Sequence, residues 1–272
     1  MNNGKIKNKN HKIVVFDLDE TLGCFSQFGI FCDCLDDYFK NNKYSKQNFN
    51  KLLDIFKIFL RPKILDILYY LKNKKQIGEC KKVMIYTNNQ GPKWWVDSIK
   101  NYFNYKVKYD LFDKIIYAFK INGQRIEPNR SSHDKKISDF FKCTKLPSNV
   151  EICFIDDVYH PGMKDDKVYY INIKPYRINL EIYQMINLFL KSDLAKTIQN
   201  TDDFGNFVID CYNNYNFKTE QFSNDEYEID KIISKKIFAH LKEFFKDSSK
   251  TLKKRIKIKK NKTVRNGKKI NM

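Results

Sequence analysis

Four short segments of this chain carry side chains that could do chemistry together. Asp17 and Asp19 stand two residues apart, so an extended backbone turns both carboxylates to one side. Thr87 ends one apolar run, Asp156 and Asp157 end another, and Lys135 and Lys136 lie between them. Carboxylates serve as nucleophiles, as proton carriers or as oxygen ligands of a hard cation. A lysine beside them offsets charge on an anionic group. Taken singly, each residue is ordinary. Acids and threonines often cap helices or form turns, and a lone lysine is usually a solvated surface charge. The chemistry depends on whether the fold brings them together.

Five runs predict strands: 12–17 (KIVVFD), 82–87 (KVMIYT), 114–118 (KIIYA), 151–156 (EICFID) and 167–172 (KVYYIN). Apolar residues recur at helical spacing over 47–60 and 61–74, with Pro62 in the first turn of the second. Pro92 opens a helix through Trp94, Trp95, Ile99 and Phe103, and 134–141 predicts a short one. Further on, 180–194 is strongly apolar, 201–224 has no clear period, and 225–246 is amphipathic. There is no internal repeat. Strands alternating with helices predict an α/β fold, a parallel sheet with helices on both faces. Ligands of such sheets bind outside the carboxyl ends of the strands. Asp17, Thr87 and Asp156 each end a predicted strand, so they meet on one rim if those strands are neighbours.

The segment Asp17-Leu18-Asp19-Glu20-Thr21-Leu22, directly after a buried strand, resembles the first motif of the haloacid dehalogenase (HAD) superfamily of phosphohydrolases. Its form is most similar to the NLI-interacting-factor-like protein Ser/Thr phosphatases, which act on the RNA polymerase II tail. The superfamily's other three motifs have counterparts in order: Thr87 after Met84-Ile85-Tyr86, a lysine in Ser131-Ser132-His133-Asp134-Lys135-Lys136-Ile137, and Asp156-Asp157 after Cys153-Phe154-Ile155. The resemblance covers roughly 12–176. It implies a HAD-type Rossmann-like three-layer fold with a small or absent helical cap, and 24–61 is the segment that could form one. It implies a Mg²⁺-dependent phosphomonoester hydrolase acting through an aspartyl-phosphate on Asp17. Asp19 is then the general acid and base, and Thr87 and Lys135 stabilise the phosphoryl group. Lys135 is preferred to Lys136 because an apolar residue, Ile137, stands two places on. The Mg²⁺ ligands implied are Asp17, the backbone carbonyl of Asp19, Asp156 and Asp157, with Thr21, Asn88 and Lys136 contacting substrate. Two departures bear on the branch. The protein-phosphatase branch usually ends its last motif Asp-Asn, and Thr87-Asn88-Asn89-Gln90-Gly91 looks more like HAD enzymes acting on small molecules or nucleic-acid 3′ ends. Arg61-Pro62 does match the protein-phosphatase branch. His160 and His133, near the motifs, read as loop residues in preference to phosphate contacts.

Composition bounds the rest. The chain has 272 residues, 42% apolar and 15% aromatic, enough for a sizeable core, so wholesale disorder is excluded. No run of 18 uncharged apolar residues predicts a membrane span, and 1–11 lacks the apolar core of a secretory signal. Seven cysteines at irregular spacing read as reduced thiols, which places the chain in cytoplasm or nucleus rather than outside the cell. The net charge is +19, and 250–272 supplies eleven basic residues with no acid. The resulting division is a disordered basic N-terminus (1–11), a phosphatase domain (12–200), a helical extension (201–249) and a disordered basic tail (250–272). The tail suits nucleic acid or another acidic partner. The substrate expected is a phosphoprotein. A nucleic-acid 3′-phosphatase, a small-molecule phosphatase and an inactive binding module carried by the tail are the rivals.

Overall fold

β-Branched and aromatic residues build the strands of a sheet that is covered on both faces. The computed structural model describes residues 11–147, 149–217 and 223–246. In chain order the strands are β1 (His11–Phe16), β2 (Lys82–Tyr86), β3 (Phe112–Ile116), the short β4 (Lys120–Ile121) and β5 (Gln124–Arg125), β6 (Val150–Asp156) and β7 (Val168–Asn172). Five of them form one parallel sheet in the order β3-β2-β1-β6-β7. The other two pair as a hairpin through Asn122-Gly123, both at positive φ, the backbone that a two-residue hairpin turn requires. The helices are α1 (Ser26–Tyr38), α2 (Tyr44–Ile55), α3 (Ile64–Gln76), α4 (Lys93–Val107), α5 (Ile137–Thr144), α6 (Ile182–Leu190), α7 (Thr201–Asn214) and α8 (Asn224–Phe245).

Alternation along the central strands sorts side chains between two cores. Val14 and Phe16 of β1, with Cys153 and Ile155 of β6, face the larger core, built with α1 to α4 and α6 to α8. Ile13 and Val15, with Ile152 and Phe154, face a smaller core closed by Phe140 and Cys143 of α5 and by Met163. The result is a three-layer α/β arrangement with unequal helical layers, as a chain of alternating strands and helices predicts.

The segment 24–61, which could have formed a small cap, packs its aromatics into the larger layer. Phe28, Phe31, Phe56 and Phe59 are fully buried. Phe28 contacts the Trp95 ring at 5.7 Å, and Phe31 meets Phe189 edge-on at 5.6 Å. The start of α1 and the residue before it border the basin at the rim of the sheet, through Ser26 and Phe25. The C-terminal helices also belong to the body. The Tyr212 hydroxyl of α7 donates to the Gln27 carbonyl at 2.9 Å, and the Lys12 ammonium of β1 donates to the Phe244 carbonyl of α8 at 2.6 Å.

Two expectations need correction. His11, placed by expectation in the N-terminal segment 1–11, opens β1, while 1–10 and the basic tail lie outside the described residues. The cysteines are not all thiols: Cys34 of α1 and Cys211 of α7 form a disulfide across 177 residues of chain, and the other five are buried and free. Irregular spacing could not reveal that pair, because only the packing of the two helices brings it together. The placement in cytoplasm or nucleus thereby loses its premise. No helix among the described residues is long and apolar enough to cross a membrane.

Candidate active site

Chain order places the site. From β1 the chain fills the β2 and β3 side of the sheet, then crosses to β6 and β7 on the other side of β1. The strand order therefore reverses between β1 and β6, where open α/β sheets form a ligand crevice. Phe16 pairs with Ile155, and the Asp17 N–H continues the ladder to the Ile155 carbonyl at 2.9 Å. Asp17 and Asp156 are consequently side by side. Thr87 follows β2 on the opposite flank of β1, and its N–H donates to the Ile116 carbonyl at 3.0 Å.

Lys135 links the acids. Its ammonium donates to Asp17 and, at 2.6 Å, to Asp156 Oδ2, and all three groups are buried. Lys136 does not take part. It stands at the extended position before α5, where successive side chains point opposite ways, and its side chain packs toward Gly162. Lys135 lines the basin and Lys136 is not among its lining residues, which separates the two lysines.

The loop after β1 is held rigidly. Glu20 adopts φ 57°, and Gly23 admits no side chain, since a Cβ there would lie 2.5 Å from the Phe25 ring and from the Phe59 carbonyl. The buried Arg61 guanidinium lies beneath and donates to the carbonyls of Thr21 (2.7 Å), Glu20 and Lys174 (3.0 Å). Burial pushes it down to about 10, while Asp230 of α8 and then Asp157 pull it back up. Thr21, expected to contact substrate, is buried and committed elsewhere. Its hydroxyl donates to Asp157 Oδ1 at 2.9 Å and accepts the Asp157 N–H at 3.2 Å, tying the first loop to the acid pair.

Thr87 also lies behind the wall of the basin rather than on it. Its hydroxyl oxygen accepts the Asn89 N–H at 2.9 Å, which shapes the turn after β2. That turn presents Asn88 and Asn89 to the basin. Asn89 donates to Asp19 Oδ2 at 2.8 Å and fixes the direction of that carboxylate. Arg130, fully buried, holds the same turn from within, donating to the Thr87 carbonyl at 2.9 Å and to Asn88 Oδ1 at 2.7 Å. It also takes the carbonyls of Tyr117 and His133, each at 2.8 Å. Sequence reasoning missed Arg130 altogether, because one arginine in a polar loop carries no period or spacing. Asn89 and Arg61 were visible in the motifs, but not the groups they hold. His160 lines the basin, with Nε2 3.6 Å from Asp156 Oδ2. His133 reaches the site only through its carbonyl.

The basin has a volume of about 470 Å³ and is lined by Asp17, Asp19, Lys135, Asp156, Asp157 and His160 with the asparagine turn. Its electrostatics follow from setting two buried carboxylates, Asp17 and Asp156, and two half-buried ones, Asp19 and Asp157, beside one buried ammonium. Burial raises Asp17 to about 7, against the pull of Lys135 and with a push from Asp156. Asp19 reaches about 7 through burial and the charge of Asp17, with Asn89 opposing. Burial raises Asp156 as well. Burial pushes Lys135 down, but Asp17 and Asp156 outweigh it and leave the ammonium above its ordinary value. Burial and then Lys135 push His160 down to about 4, so it is a neutral imidazole.

Oxygens of Asp17, Asp156 and Asp157 lie within 4.8 Å of one another, the one such group among the described residues. Three hard oxygen donors, with more negative charge than Lys135 neutralises, fit a hard divalent cation. The carboxylate of Asp19 stands outside the group, turned toward Asn89.

Compared with protein-family models, with curated proteins and with solved structures, the chain matches none.

Proposed function

We propose that the protein is a phosphomonoester hydrolase of HAD type that works through an aspartyl-phosphate on Asp17. The observation that carries this reading is the convergence of four sequence-distant segments: Lys135 between Asp17 and Asp156, Asp157 alongside, and Asp19 oriented by Asn89. A carboxylate oxygen of Asp17 attacks phosphorus as the bond to the leaving oxygen breaks, and Asp19 gives that oxygen its proton. Asp19, now a carboxylate, takes a proton from the attacking water. The bond between phosphorus and Asp17 then breaks, and inorganic phosphate leaves. An acid near 7 suits both halves of the cycle at neutral pH. Lys135 stabilises charge on the phosphoryl oxygens, and the asparagine side chains supply amide donors at the rim. Thr87 positions that rim from behind.

Asp17, Asp156 and Asp157 would hold Mg²⁺, which supplies positive charge against the repulsion between the carboxylates and the incoming phosphate. The substrate class that fits best is a phosphoprotein carrying phospho-Ser or phospho-Thr. With 24–61 packed into the helical layer, the basin stays open to a macromolecule.

The test is hydrolysis of a generic aryl phosphate with and without Mg²⁺, for wild type and Asp17→Asn. Mg²⁺-dependent turnover that falls by about three orders of magnitude in Asp17→Asn is expected. Equal turnover in the two proteins refutes the assignment of Asp17.

A further inference from the structure

A second cleft, of about 230 Å³, opens beside the basin and shares Asp19, Phe25, Ser26 and Asn89 with it. On the phosphatase reading, on which this inference rests, the leaving oxygen faces Asp19. The remainder of the leaving group can then pass along the wall formed by these shared residues. One side of the cleft is α1, through Gly29, Ile30 and Asp33, with Phe25 at its N-cap, at spacings that share one helical face. The other is the start of α4, through Trp94 and Trp95, the chain's two tryptophans. Trp95 is braced from behind by Phe28 at 5.7 Å and Phe49 at 5.4 Å, so the wall is rigid.

Gly29 is the informative residue. It sits inside α1, where glycine is disfavoured relative to alanine. Nothing in the fold demands it. Its φ is ordinary, and a Cβ would meet the Trp95 ring at 3.5 Å, a normal contact. What its missing side chain provides is an open cleft floor against Trp95. The charges point to the class of ligand. Asp19 stands at the near end and the exposed Asp33 at the far end, followed on the same helix by Asp36 and Asp37. The Tyr215 hydroxyl donates to Asp33 at 3.0 Å, and Lys46 lies 5.9 Å from the Trp94 ring. Acids at both ends repel the phosphates of a nucleic-acid chain, whereas a peptide brings neutral amides and flat side chains.

We infer that this cleft is a leaving-group subsite that seats an aromatic side chain adjacent to the phosphorylated residue of a peptide substrate. The experiment compares short phosphoserine peptides with phenylalanine or glycine on both sides of the phosphoserine. Both share one leaving oxygen, so chemistry cancels from their ratio. Wild type should favour the phenylalanine peptide by about tenfold or more in kcat/KM, mostly through KM. Gly29→Leu, which fills the floor, should bring the ratio close to one. Gly29→Ala, folding with an ordinary contact to Trp95, should fall between, and thermal melting of both variants reports their folding. A wild-type ratio near one overturns the subsite, as does an unchanged ratio in Gly29→Leu, or faster turnover of a 3′-phosphorylated oligonucleotide than of either peptide. Tryptophan emission gives a readout independent of turnover, since both tryptophans line the cleft. The phenylalanine peptide should shift it in wild type but not in Gly29→Leu. If no phosphate ester is hydrolysed, the phosphatase reading fails while this binding difference still decides for or against the subsite.

Discussion

Asp17→Asn should make the metal-free protein more stable at neutral and alkaline pH, although it removes the proposed nucleophile. Asp17 is almost fully buried, and burial with the neighbouring Asp156 holds its carboxyl at about 7 instead of 3.8. A carboxyl raised in the folded state binds its proton more tightly there than in the unfolded chain. The fold therefore loses stability as pH rises from the unfolded value through the folded one, and the loss is complete above about 7. At about 1.4 kcal/mol per tenfold in proton affinity, the full penalty is roughly 4 kcal/mol. Asparagine keeps the shape and is never charged, so the variant escapes the penalty. Urea denaturation in EDTA should show Asp17→Asn ahead of wild type by roughly 4 kcal/mol at pH 8 and by under about 2 kcal/mol at pH 5. Adding Mg²⁺ at pH 8 should raise wild type toward the variant, because the ion binds only the folded carboxylate cluster, by about 2.7 kcal/mol at a hundredfold excess over its dissociation constant. A variant less stable than wild type at pH 8, or a gap that does not change with pH, would refute the claim that the site stores unfavourable charge.

Three further outcomes follow from individual contacts. Non-reducing thiol titration of the unfolded protein should find five thiols, and reduction should lower stability by up to about 5 kcal/mol, the loop-closure figure for Cys34 and Cys211 at a separation of 177 residues; seven thiols before reduction would contradict the bond. Gly23→Ala should cost about 1–3 kcal/mol by urea denaturation and slow aryl phosphate turnover, because the new Cβ meets the Phe59 carbonyl as well as the Phe25 ring; unchanged stability would mean that the loop yields. Arg130→Met should lower kcat with little change in Mg²⁺ affinity, because it frees the Thr87–Asn88 turn but leaves the acid cluster intact; loss of Mg²⁺ binding, measured by calorimetry, would place Arg130 in the wrong group.

The sequence made the sheet legible where strands are buried on both faces. Runs such as Ile13 to Phe16 and Ile152 to Ile155 are continuous apolar segments with no competing helical period. The third strand was expected at 114–118 and lies at Phe112–Ile116, because the exposed Asp113 and Lys114 blur its apolar run. Helix α7 was hidden, although Phe204, Val208, Cys211 and Tyr212 are spaced for one buried face. Abundant Asn and Asp masked that pattern, and the Asn200 cap, which accepts the N–H groups of Asp202 and Asp203, is visible only once the helix is known. At the site, Asp17 and Asp156 could be named in advance because strand ends locate them, with Asp19 and Asp157 close behind, whereas Lys135 was named only through the resemblance to the HAD motifs. The residues that hold them could not. Arg130 lies 43 residues from Thr87, and Thr21 lies 136 from Asp157. Such pairs are set by tertiary packing, which leaves no periodicity to read.

The division of labour among the buried cations leaves the site's acids only partly neutralised. Arg61 and Arg130 are both fully buried beside the basin, and either could have neutralised a carboxylate with two parallel hydrogen bonds. Neither does. Arg61 spends its donors on the carbonyls of Thr21, Glu20 and Lys174, and Arg130 on three carbonyls and the Asn88 amide oxygen. The guanidinium groups thus fix the backbone of the two loops without closing the carboxylates. Lys135, a single compact ammonium between Asp17 and Asp156, is the one buried cation among the described residues that pairs with the cluster. Its three donors can turn from the acids to a phosphoryl group, whereas an arginine locked to a carboxylate could not turn without losing both bonds. On the proposed phosphatase reading, rigid loops around incompletely neutralised carboxylates preorganise the site for a cation and a phosphate together, at the stability cost that Asp17→Asn is expected to relieve.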